Sequence, residues 1–162
     1  MTDSDLRIPT KELTVELTLL GGATSTVALH LAEHEQKFID RLQDDQRFVP
    51  VRDADTGTWS MINKNGLLWA SIVLIDGRLP IDVAEDEEAP LFDRQVEVRL
   101  EFEQGEPLGG KILYSPPPGQ TRVTDHMNRP AQFFRLWTSD HLYIVNKVHV
   151  LRLIEVQEEA AK

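Results

Sequence analysis

In the stretch "RVTDHMN", Arg122, Asp125 and Asn128 stand three residues apart, and the pair Asn146-Lys147 follows with His149 two residues on. A guanidinium, an ammonium and an imidazole could hold an anion, and a carboxylate could move a proton if a partner group perturbed it. No second carboxylate accompanies Asp125 in its own segment. Capping of free backbone N–H groups is therefore the expected work of Asp125 and Asn128. A blurred copy stands earlier, with Asp40 inside "KFIDRLQ" and Asn63-Lys64 closing "MINK". Asp40 is expected to cap like Asp125. Asn63 and Asn146 are expected to turn the chain, because asparagine tolerates left-handed backbone and bonds its own neighbours.

Other chemistries find little support. His30 and His34 have the separation of a helical ligand pair, yet the residues around His30 alternate like a strand and no H-E-x-x-H pattern occurs. No metal site and no cofactor are expected. No nucleophile elbow, phosphate-cradling loop or dinucleotide fingerprint is present, so a non-enzymatic chain is expected. Cysteine is absent, which excludes disulfide frameworks and thiolate metal sites. The opening "MTDSDLRIPT" is acidic where a secretory leader would be basic and then apolar, and no run of about 18 uncharged apolar residues occurs. A cytoplasmic protein without membrane spans is expected.

The elements that would position these residues come in two sets. Leu13, Val15, Leu17 and Leu19 alternate with polar residues, and Val96, Val98, Leu100 and Phe102 repeat the pattern 83 positions later. Phe48 and Val51 match Phe133 and Leu136 at an offset of 85, and Asn63-Lys64 matches Asn146-Lys147 at 83. Blocks in the same order indicate duplication. The chain is expected to be mainly β, with two tandem small antiparallel barrels over residues 10–75 and 94–157, each carrying a short inserted helix. Between them, residues 76–93 form an acidic linker. That segment holds seven acidic and one basic side chain, against a net charge of −10 for the whole chain. Residues 94–162 balance nine against nine, so the second half lacks the basic surplus that nucleic-acid binding demands.

On the helical turn, Val123 and Met127 should face inward and plug one barrel end. Trp59, Trp69, Trp137, Tyr143, Phe133 and Phe134 are expected to fill cores. Adjacent Phe133 and Phe134 must point to opposite faces of a regular strand, so one of them needs a second surface, in the other copy or another subunit.

The segments "VEVRLEFEQGEPLGGKI" and "YIVNKVHVLRLIEV" resemble the opening hairpin and the closing strand pair of Sm-like and SH3-like barrels. The combination R-x-x-D-x-x-N, F-x-x-L and V-N-K also resembles a group of uncharacterised bacterial small-barrel domains, a resemblance that implies no activity. The Sm-like resemblance implies that a basic residue near the closing turn can touch RNA, which singles out Lys147 and His149. The expected function is a protein-interaction module, an adaptor or regulatory subunit, with Arg122, Phe134, Lys147 and His149 as candidate contacts. It would meet a protein partner, or a second copy through edge strands. The alternative is an Sm-like RNA or nucleotide binder, and nucleic acid is the less expected partner.

Overall fold

Alternation along the chain becomes ten antiparallel strands in a single open sheet. The computed structural model describes residues 10–32, 38–79, 94–115, 118–119 and 122–156. The first half contains β1 (Thr10–Leu19), β2 (Thr24–Ala32), the short helix α1 (Phe38–Gln43), β3 (Phe48–Asp53), β4 (Trp59–Asn63) and β5 (Leu67–Val73). The second contains β6 (Arg94–Phe102), β7 (Leu108–Tyr114), the short helix α2 (Val123–Met127), β8 (Phe133–Trp137), β9 (His141–Asn146) and β10 (Val150–Glu155). A single 3-10 turn joins β4 to β5, and another joins β9 to β10. Most of the expected acidic linker, including "EDEE", lies outside the described residues, as does His34.

The strands are ordered β10-β6-β7-β8-β9-β5-β1-β2-β3-β4. Each half thus runs in the same order, its last strand beside its first. The register agrees as well. Leu17 faces Ser25 in β1·β2, and Leu100 faces Leu108 at the matching place in β6·β7. Leu19 faces Leu67 beyond a bulge in β1·β5, and Phe102 faces Val150 beyond a bulge in β6·β10.

The expected pair of separately closed barrels is not what the strands form. β9 pairs with β5 along Trp69↔Val145 to Val73↔His141, which merges the halves into one sheet and leaves β10 and β4 as its two edges. The physical reason lies in the side chains. β5 and β9 are buried on both faces, as central strands are, and each face serves a different core.

One cluster packs Leu13, Val15 and Leu17 against Phe38, Val49, Val51 and Ile72, and takes Phe133, Leu142 and Ile144 from the second half. The other packs Val98, Leu100, Ile112, Val123 and Leu136, and takes Leu68 from the first half. Each core is therefore completed across the β5·β9 joint. Phe133 and Phe134 do point to opposite faces, and it is Phe133 that crosses into the other half's core. Val123 is buried against the second core and Met127 packs beside it, as the helical spacing required.

Gly109-Gly110 lies inside β7. A Cβ on Gly110 would sit 2.7 Å from the Trp137 carbonyl oxygen, so glycine lets β8 approach there. Gly21-Gly22 forms a turn, with φ of 91° and 88°.

Candidate functional site

The two Asn-Lys corners are built alike. Asn63 Oδ1 accepts the Asn65 N–H at 3.0 Å, and Asn146 Oδ1 accepts the Val148 N–H at 3.1 Å, each capping its 3-10 turn. The Lys64 N–H donates to the Arg47 carbonyl and the Lys147 N–H to that of Gln132. Lys64 Nζ reaches the Asp44 carbonyl oxygen at 3.1 Å, and Lys147 Nζ reaches that of Arg129 at 3.0 Å. These lysines tie the corner to the loop behind the helix.

Their surroundings differ in charge. Asp44 binds Lys64 and Arg41 together, with Arg41 Nη1 at 2.8 Å. Burial opposes the Asp44 charge, but hydrogen bonds from Lys64, the Gln46 N–H and Arg41 outweigh it and hold the carboxyl below its ordinary value. In the second half the matching places hold His126, Arg129 and Lys147, all basic. Burial, and then Arg129, lowers Lys147. Burial, and then Arg129 and Lys147, pushes His126 down to about 4. The His126 ring lies tilted against Tyr114 with centroids 4.8 Å apart, and its buried Nδ1 has no hydrogen-bond partner.

Several other candidates bond within the fold. Asp125 Oδ2 accepts the Arg122 N–H at 3.2 Å, and the exposed Arg122 guanidinium stands 3.6 Å from the same oxygen. Asn128 ends α2 through its backbone N–H. Asp40 lies in the first turn of α1. Phe134 is buried in the second core. His149 is buried, with Nε2 on the Asn65 carbonyl oxygen across the joint. Asn146, fully buried, donates to the Lys64 and Leu67 carbonyls at 3.1 and 2.9 Å across the same joint. His30, on β2, stacks on Trp59 at 5.7 Å. Among the described residues no three His, Asp or Glu gather as a metal site would require.

What remains open is backbone. Among the described residues β4 and β10 each pair on one side only, leaving N–H and C=O groups along the other. Large apolar side chains stand exposed beside them: Trp59 and Met61 on β4, Leu151 and Ile154 on β10, and Val156 just beyond. Trp59 is thus a surface residue where a core role was expected.

No protein-family model, curated protein or solved structure gives a significant match to this chain.

Trp59, Met61 and Leu151 carry no sequence signal that separates them from core residues, because their counterparts Leu142, Ile144 and Leu68 are apolar and buried. Only the sheet order exposes them. Chemically the two edges can do one thing well: add a strand and cover its apolar side chains.

Proposed function

We propose that this chain is a non-enzymatic protein-interaction module, an adaptor or regulatory subunit, built from one small barrel-like unit of five strands written twice. The equal strand order, register and bulge position of the halves support the duplication. The observation that carries the interaction reading is the placement of Trp59, Met61, Leu151, Ile154 and Val156 along the two unpaired strands. An edge strand that keeps apolar side chains and offers free backbone hydrogen bonds is made to be covered. Lys147 and His149 are occupied in bonds within the fold, which weighs against the RNA reading.

The test uses the full chain immobilised, beside Met61→Lys and Leu151→Lys variants, all treated with nuclease. A defined protein retained by the parent chain and lost from at least one variant is the expected result. Retention that nuclease abolishes, or that neither substitution alters, overturns the reading.

A further inference from the structure

The joint between the halves offers a template for covering the two edges. β5 and β9 pair inside the chain, and their counterparts in the other half are β10 and β4, the strands left unpaired. Four buried side chains cross that joint: Phe133, Leu142 and Ile144 enter the first core, and Leu68 enters the second. Each is at most 1% exposed. Their counterparts are Phe48, Trp59, Met61 and Leu151, which are 47%, 56%, 71% and 64% exposed. The chain thus presents, on two separate edges, both sides of a contact it already makes internally.

Resting on the interaction reading above, we infer that the partner is a second copy of this chain, with β4 of one copy pairing antiparallel with β10 of the next. The internal register transfers directly. Trp69↔Val145 becomes Arg152↔Ile62, Ala70↔Ile144 becomes Leu153↔Met61, and Ser71↔Tyr143 becomes Ile154↔Ser60. Phe48 and Met61 would then enter the second core of the neighbour, as Phe133 and Ile144 enter the first. Asn63, exposed on its own, would reach the carbonyls of Lys147 and Val150 in the next copy, as Asn146 reaches those of Lys64 and Leu67.

β4, "WSMIN", carries no charge to ward off a neighbouring strand. On β10, Glu155 stands where β5 has Ile72, and pairing would strip water from its carboxylate opposite Trp59. The joint between copies is accordingly weaker than the internal one and forms as concentration rises. Because the two edges differ, the contact is heterologous and generates a ring or an open chain of copies rather than a closed two-fold dimer.

Sedimentation velocity of the full chain over a wide concentration range tests this. Masses at whole multiples of one chain are expected. Met61→Lys or Leu151→Lys raises the concentration of half-assembly by about a hundredfold or more, and Glu155→Ile lowers it by about tenfold. All three positions are exposed, and unchanged thermal melting confirms that the variants fold. Mixing the Met61→Lys and Leu151→Lys chains restores a species of two chains and nothing larger, since each keeps one working edge. Because the chain lacks cysteine, Ser60→Cys with Ile154→Cys in one chain should oxidise to a ladder of cross-linked copies. A monomer at every concentration, or a two-chain species that survives in the Leu151→Lys variant alone, overturns the inference. If the chain is monomeric while the edge variants still lose a different captured protein, self-pairing falls and the interaction reading stands. If they alter neither, both fall.

Discussion

Phe133 and Phe48 begin equivalent strands and face equivalent residues, Asn146 and Asn63. One pair is buried and the other exposed. Backbone conformation does not account for this, since both asparagines cap the same kind of turn through the same bond. The difference is the neighbour: β9 has β5 beside it, and β4 ends the sheet. The comparison teaches that the corner is a local structure, set by a few residues in sequence, whereas burial of its apolar side chains is decided by what lies next to it.

The largest effect should come from breaking the buried member. Phe133→Ala leaves a cavity in the first core and should cost about 3–5 kcal/mol, read from urea unfolding of the full chain. Phe48→Ala, measured at a concentration where the chain is a single copy, should cost less than about 1 kcal/mol. Equal losses would show that Phe48 is covered within its own chain, and the contrast between joint and edge would disappear.

A smaller contrast separates the two lysines. Lys64 is buried and bonds both the carboxylate and the carbonyl of Asp44. Lys64→Met removes one cation from a shared carboxylate and should cost about 2–3 kcal/mol, with Arg41 keeping part of the pairing. Lys147 is half-buried, bonds the Arg129 carbonyl and stands among like charges, so Lys147→Met should cost about 1 kcal/mol or less. Thermal unfolding of both variants decides the order. A reversed order would mean that the basic cluster around Lys147 is stabilised by something the hydrogen bonds do not reveal.

Much of this construction was legible before any coordinates. The period-two runs of β1 and β6 lie where alternation put them, and the offsets of 83 and 85 mark residues that occupy equivalent places in the sheet. The face-splitting Phe133-Phe134 pair pointed to a surface beyond one core. Three things were not legible. Which phenylalanine would cross depends on how β8 meets the first half, and that meeting has no local signature. The merging of the halves could be read only from apolar residues on both faces of "LLWASIV" and "LYIVN", a pattern that also suits a strand buried inside a barrel. The bonding of two candidate contacts was hidden for a related reason. A lysine and a histidine beside a turn look available for a ligand, but Lys147 and His149 turn back onto carbonyls supplied by distant segments.

The finest distinction between the corners is in their response to acid. Arg41, in the first half, pairs with Asp44, and His126 at the matching place is half-buried against Tyr114 among Arg129 and Lys147. Burial and those two charges disfavour the imidazolium, so the folded chain holds His126 neutral down to about pH 4, whereas the unfolded chain protonates it near the ordinary value of 6.5. A base with a depressed folded pKa contributes stability that is fully present above about pH 6.5 and is lost as pH falls toward 4, because the unfolded state then binds more protons. Asp44, itself held below its ordinary 3.8, adds its own loss only at lower pH, so the two windows are separate. Melting temperatures between pH 7 and 4 should fall more steeply for the parent chain than for His126→Gln. Arg129→Gln should leave an intermediate slope, since it removes one of the two opposing charges. Identical slopes in all three chains would show that His126 is protonated as easily in the fold as out of it, and that the two corners, despite opposite charge patterns, meet acid alike.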